Sequence, residues 1–423
     1  MDLPVIVTTV SLVLMLIMSV PIGVSLGASV VLGIIVGDVP PMHFMQKLFM
    51  SLDNFPLLAV PFFIMAGEIM QKGTMADALL KFARCLVGHI TGGLAHVSTI
   101  TCLFYGALSG SSPATVAAVG GIMIPAMHKE GYPLRFSTAV NTASGCLGVI
   151  IPPSIPMIMY GSTVVVSIGD LFIAGILPGI FIGVVLMLTS YVVVRVKDIK
   201  VPKERHTLKE TFKAFYDAKH AIMVPVIVLG GIYGGVFTPT EAGAVAITYA
   251  FVAEGLLLRR LTWQKIVDIF KGSALSTVSI FFVMTTACCL GHFLFFYNVQ
   301  DSITEILMTF AHNKYLFLSV AIGILLFVGT FMDSTASIII LSPLMLPVAK
   351  LAGIDPIHFG IVVVIGAALG FLTPPVGVNL FVACGISGLS VEAISMAVLP
   401  FLFAMLAALF VLAFTPQMSL LLL

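Results

Sequence analysis

Two proline pairs interrupt otherwise apolar stretches of this 423-residue sequence, Pro152-Pro153 and Pro374-Pro375. Proline has no backbone N–H, and it pushes the residue before it (Ile151 or Thr373) out of the helical region, so neither stretch continues as one helix. The carbonyls around Gly145–Ile151 and Gly366–Thr373 are therefore expected to be unwound and without intrahelical partners. Upstream of each pair lies a second kind of break, SGSSP at 109–113 and GTFMDST at 329–335. New helices are predicted to start at Ser111–Thr115 and Ser334–Ala336, with Pro113 suited to a first turn. Free carbonyls and hydroxyls suit a hard cation such as Na⁺, whereas a helix N-terminus offers N–H groups and partial positive charge to an anion. The combination reads as a site that binds a cation and an anion together.

The surrounding elements belong to a membrane. Hydrophobic residues make up 59% of the chain and charged residues 9%, with mean hydropathy +1.16, against about 25% charged in a soluble domain. That excludes a soluble enzyme, and a net charge of +1 gives no basic footprint for nucleic acid. The six cysteines have neither CxxC spacing nor a loop framework and read as small apolar residues. Apolar segments are expected at 4–20, 21–37, 55–71, 89–110, 112–127, 136–150, 154–167, 171–194, 220–236, 239–258, 274–296, 315–330, 335–349, 357–371, 375–389 and 393–415. Several are shorter than the roughly 20 residues a crossing needs. The pairs 89–110 with 112–127 and 315–330 with 335–349 are read as re-entrant helical hairpins, whose tips must be covered by protein or line a cavity near the midplane.

Two global patterns support this layout. With both hairpins re-entrant, 17 of the 20 Lys and Arg fall on one face, leaving Lys47, Lys314 and Lys350 opposite. The crowded face is then cytoplasmic and both termini lie outside. In addition, a shift of 222 residues superposes Pro125 on Pro347, Gly148 on Gly370, Pro152-Pro153 on Pro374-Pro375, Pro178 on Pro400 and Ser112 on Ser334. The amphipathic stretch 74–88, basic and inner, maps onto 296–310, which carries Asp301 and Glu305 on the outer face; the outer stretch 40–49 maps onto the inner stretch 262–271. The matched stretches take opposite sides, so the halves are inverted repeats, a signature of secondary transporters. The fold class expected is an all-α polytopic membrane protein of two inverted repeats, each with a re-entrant hairpin and a Pro-Pro-broken helix.

Other polar residues within the spans read as local structure. Glu241 follows Thr238-Pro239-Thr240 as a first-turn acid, Glu68 near the end of its span is placed either to snorkel or to pair with Lys72, and His89, His96 and His292 have no second ligand at metal spacing. Asp333, at a hairpin tip, is given a cation or hydroxyl partner.

SGSSPATV at 109–116, GCLGVIIPPS at 145–154 and LTPPVGVN at 372–379, with FPLLAVPFF at 55–63 and FTPTEAG at 237–243, resemble the large membrane subunit of tripartite ATP-independent periplasmic (TRAP) transporters over essentially the whole chain. The resemblance implies an elevator-type, sodium-driven importer of organic acids such as C4-dicarboxylates, sialic acid and other sugar acids. It also implies a periplasmic substrate-binding protein, a small four-helix membrane subunit expected here as a separate chain, and a place in the bacterial inner membrane. By the same resemblance, one sodium site involves Ser109 and Ser112 with Gly145, Gly148 and Ile151; its mate involves Gly329, Asp333 and Ser334 with Gly366, Gly370 and Thr373. Substrate is expected between the tips near Ser111, Thr115, Ser154, Thr335 and Asn379. Residues 1–88 and 220–312 are assigned to a scaffold, 89–196 and 313–423 to a moving transport domain, and 197–219 to a cytoplasmic linker. Sodium is the one ion expected and no organic cofactor is. A self-sufficient divalent-anion symporter of related architecture is the alternative. A membrane-embedded enzyme fits less well, because HExxH, a GxGD aspartate pair and a clear Ser–His dyad are missing and the repeat would go unexplained.

Overall fold

The computed structural model describes residues 2–18, 20–199, 206–374 and 377–423, with backbone alone at 300–302. Pro375, Lys200, Lys203 and Arg205, and the side chain of Asp301, on which parts of the sequence reading rest, lie outside the described set. The described residues form helices joined by short turns, without a strand. Seven helices are long and apolar enough to cross a membrane, or eight counting the bent pair Leu134–Ile150 and Ile155–Val164, which meet at 40°. The molecule is an all-α, multi-span membrane protein.

Both hairpins form. In the first, Gly93–Ser109 ends at Gly110, whose φ of +58° is left-handed and suits a residue without Cβ; the return arm runs Ser112–Thr115, Val116–Gly120 (a π turn) and Gly121–Lys129. In the second, Lys314–Gly329 turns at Thr330–Asp333 into Ser334–Leu351. Ser334–Leu351 has the length and composition of a span, yet it packs back along its partner arm. Arms of 16 to 18 residues reach about 24–27 Å at 1.5 Å per residue, short of the roughly 30 Å hydrocarbon core.

The repeat is visible in the contacts. Ile155–Val164, past the break of the first repeat, packs on hairpin arm Ser334–Leu351 of the second; Val378–Ser387, past the second break, packs on the first hairpin's return arm. Ile168–Val196 packs on Pro356–Gly370 as Val391–Phe414 does on Leu134–Ser144. On the axis of this exchange the Cys146 thiol donates to the carbonyl of Ala368, its own counterpart at the 222-residue shift, at 3.2 Å. A second set of helices, Ile22–Gly37, Ala59–Lys72, Pro239–Phe251 and Trp263–Phe296, exchanges partners in the same way. The halves also differ: Pro41–Met50 and Ala59–Lys72 are separate helices, whereas their counterparts fuse into Trp263–Phe296, 34 residues long.

Both breaks start later than the sequence reading placed them. The Gly145 carbonyl is not free: it accepts from the Gly148 N–H at 2.9 Å, and helix continues through Leu147–Ile150 before the turn at 151–154. In the second repeat Pro356–Gly370 is continuous through Gly366, and the N–H groups of Phe371, Leu372 and Thr373 bond the carbonyls three residues back. A proline takes the donor only from the carbonyl four residues before it. Pro152 thus leaves Gly148 without its helical donor, and residues before Gly148 keep theirs.

Candidate ion and substrate site at the hairpin tips

The first hairpin tip lies directly against the first break. The Gly110 carbonyl accepts from the Ile155 N–H at 3.3 Å, just past the proline pair. At Gly148 a Cβ would stand 2.6 Å from the Ser111 carbonyl oxygen and 2.3 Å from the Thr115 hydroxyl, so only glycine allows this approach. The Ser109 and Thr115 hydroxyls are 3.0 Å apart, and Thr115 donates to the Ser111 carbonyl at 2.8 Å. Ser109, Ser111, Thr115 and Gly148 therefore share one oxygen-rich pocket, including two residues (Ser111 and Thr115) read from the sequence as substrate-facing.

Ser112 points elsewhere. Its hydroxyl accepts from the Asn379 amide at 2.7 Å, and the same NH₂ lies 3.3 Å from the Thr142 carbonyl and 3.5 Å from the Cys146 sulfur. Asn379 is fully buried, and its Oδ1 has no hydrogen-bond partner among the described residues. An orphan buried carbonyl oxygen is costly, so this atom is the strongest polar vacancy near the tips. Asn379 thus joins the broken helix of one repeat to the hairpin tip of the other.

The second tip is built differently. Asp333 caps Ser334–Leu351, its Oδ2 accepting from the Thr335 N–H at 2.9 Å while its carbonyl accepts from the Ser337 N–H and hydroxyl. Gly329 and Gly370 are in backbone contact: a Cβ on Gly370 would lie 2.6 Å from Gly329 Cα. Ser334 and Thr335 are buried beside them, and the Thr373 hydroxyl donates to the Leu369 carbonyl. Other expected residues have structural places. Gly366 packs on the Leu325 side chain and Gly145 on Val116; Ile151 projects its side chain onto Gly179. Ser154 caps Ile155–Val164 and donates to the Val149 carbonyl, replacing the N–H that Pro153 lacks. The five residues expected around substrate are thus not one open cavity here: Thr115, Ser154, Thr335 and Asn379 are buried and only Ser111 is half-buried.

The model of the family described as "Tripartite ATP-independent periplasmic transporter, DctM component" matches residues 9–418. The chain belongs to this family. It is 41% identical over 404 residues to the isethionate TRAP transporter permease DctMQ of Oleidesulfovibrio alaskensis, covering 95% of this chain and 64% of that longer relative. It is 40% identical to the C4-dicarboxylate large permease DctM of Pseudomonas aeruginosa, over 88% of this chain and 87% of the relative. Among solved structures, the YdaH transporter of Alcanivorax borkumensis shares the fold, with a TM-score of 0.60 at 12% identity over 89% of this chain and 88% of the other. The relatives are named as transporter permeases, and the enzyme alternative falls away.

Two functional-looking residues escaped the sequence reading. Asn141 is fully buried behind the first tip, its Oδ1 accepting from the Ser98 hydroxyl at 2.6 Å and its amide donating to the Ser137 carbonyl at 2.8 Å. Glu254, inside the span Pro239–Leu257, is fully buried and accepts from the N–H groups of Thr74 and Met75 at 2.6 and 2.9 Å. An acid at membrane depth is itself a signal, so Glu254 was legible. Among the described residues no cluster of His, Cys, Asp or Glu could hold a metal ion, and Cys102, Cys146, Cys288, Cys289 and Cys384 are free thiols.

Proposed function

We propose that this subunit drives sodium-coupled import of an organic acid anion across the bacterial inner membrane, with both termini periplasmic. A periplasmic binding protein delivers the solute and a small, separate membrane subunit flanks the chain. The reading is carried by the first tip: the Ser109 and Thr115 hydroxyls and the Ser111 carbonyl gathered at Gly148, whose own carbonyl lacks a helical donor because residue 152 is proline. Hydroxyl and carbonyl oxygens are the ligands Na⁺ takes in discontinuous transporter helices. Sodium there holds the tip against the break, which positions Ser112 and Asn379; Asn379, with its unpartnered Oδ1, then meets the solute. A second sodium is assigned to Gly329, Asp333, Ser334, Gly370 and Thr373. The hairpins and broken helices move as one body against the scaffold, carrying ion and anion together.

The solute class is an organic acid. Relatives 41% and 40% identical are named for isethionate and for C4-dicarboxylates, one a sulfonate and the other carboxylates, so likeness at this level does not select between anionic headgroups. Uptake into proteoliposomes holding both membrane subunits, with the binding protein outside, tests the coupling. Replacing sodium by potassium is expected to abolish accumulation, and unchanged uptake would overturn the reading. Ser112→Ala is expected to raise the half-saturating sodium concentration several-fold.

A further inference from the structure

The basic-residue layout assigns an outer and an inner end to the molecule, and each end has a cleft at the boundary between hairpin and scaffold. The outer cleft, about 640 Å³, runs between the segment 47–54, the helix Trp263–Phe296 and the second hairpin at Ile339 and Pro343. The inner cleft, about 330 Å³, lies between Gln71–Leu80 and the first hairpin at Ala117 and Gly121. Ile339 and Pro343 are the counterparts of Ala117 and Gly121 at the 222-residue shift, so the clefts are repeat-related. Their chemistry is not. The outer one is lined by Lys47, His292, Asn54, Ser162 and Asp53; the inner one has Asp77 and Gln71 and neither lysine nor arginine.

Lys47 is one of only three basic residues on the outer side. Among the described residues it makes no ion pair, with Asp53 or any other acid. It lies within electrostatic reach of His292 and Cys288, both in the cleft. Ser162 lines both this cleft and the adjoining outer cavity of about 690 Å³, and its buried hydroxyl has no hydrogen-bond partner among the described residues. A solvated lysine on an amphipathic helix is commonplace; an unpaired lysine facing a cleft with an unsatisfied hydroxyl on its other wall is a partial oxyanion site.

We infer that the outer cleft is a holding site for the carboxylate or sulfonate of the transported acid, with Lys47 as its charge partner and His292 and Ser162 as hydrogen-bonding groups, occupied before the anion reaches the hairpin tips. This inference rests on the organic-anion reading above.

Cys288 is a reporter already in place. Take right-side-out vesicles containing the full transporter, with Cys85 and Cys384 replaced by serine; Cys102, Cys146 and Cys289 are buried. A sulfonate-bearing methanethiosulfonate reagent is expected to label Cys288 about tenfold faster than its trimethylammonium analogue, after normalising to a free thiol, as the field of Lys47 at Cys288 requires. Lys47→Gln brings the ratio to about one and Lys47→Arg keeps it. Millimolar succinate or isethionate, without binding protein, slows labelling of the parent chain but not of Lys47→Gln. Equal or reversed rates, protection by neither anion, or a Cys288 that reacts only after denaturation would each overturn the inference. Sodium-independent uptake overturns the coupling reading and leaves the labelling ratio unchanged, so the two fail separately.

Discussion

Asp333 has two roles to separate. Its carboxylate caps Ser334–Leu351 through the Thr335 N–H, so Asp333→Ala removes a cap worth about 1 kcal/mol as well as a charge from the assigned sodium site. Asn caps helices as well as Asp does. Asp333→Asn is therefore expected to keep the thermal midpoint of the parent while raising half-saturating sodium several-fold; Asp333→Ala should lower both stability and sodium affinity. Thermal unfolding in nanodiscs beside sodium-activation curves separates these, and an Asn variant with a parental sodium curve would reduce Asp333 to a cap. The same distinction applies to Ser154, whose hydroxyl is already engaged at both ends of its turn.

At the scale of elements, the buried carboxylate of Glu254 holds the start of the amphipathic helix Met75–Val87, bonding the Thr74 and Met75 N–H groups across 180 and 179 residues of chain. These are orphan donors of a helix N-terminus, and the negative charge also suits the helix dipole. Gly73 is required beside it, since a Cβ there would sit 2.2 Å from the carboxylate carbon. Nearby, Lys72 pairs with Glu68 at 3.3 Å and donates to the Asp268 carbonyl at 2.6 Å, tying Ala59–Lys72 to Trp263–Phe296. Glu254→Ala is expected to cost about 1–3 kcal/mol by leaving buried donors unpaired, whereas Glu254→Gln keeps an acceptor and most of the stability. Thermal unfolding of the two variants checks this; equal losses would mean that charge rather than hydrogen bonding holds the helix.

The whole molecule is proposed to move as two bodies, which cross-linking tests directly. Phe63 on Ala59–Lys72 and Phe172 on Ile168–Val196 meet across the proposed boundary with ring centroids 6.3 Å apart; Phe136 and Phe401, within the proposed transport body, are 6.4 Å apart. Paired cysteines at 63 and 172, joined by a short bifunctional thiol reagent, should abolish uptake, with recovery when a cleavable linker is cut. The pair at 136 and 401 should tolerate the same linkage. Transport surviving the first cross-link would rule out relative sliding along this surface.

Much of the architecture was legible because it rests on chemistry that acts over a few residues or on composition. Hydropathy sets the solvent, the absent N–H of proline breaks a helix at a known place, and Gly110 and Pro113 mark where one arm ends and the next begins. The inverted repeat followed from matching such marks at 222 residues. Where the sequence reading misplaced the unwound carbonyls, it spread the effect of Pro152 over seven residues, although a missing donor reaches only four residues back. The joining of Asn379 to Ser112 across 267 residues, of Cys146 to Ala368 and of Glu254 to Thr74 was decided by tertiary structure alone. Those partners lie on different helices, and which side chains meet depends on how the two copies pack around their shared axis, a quantity that no local preference along the chain encodes.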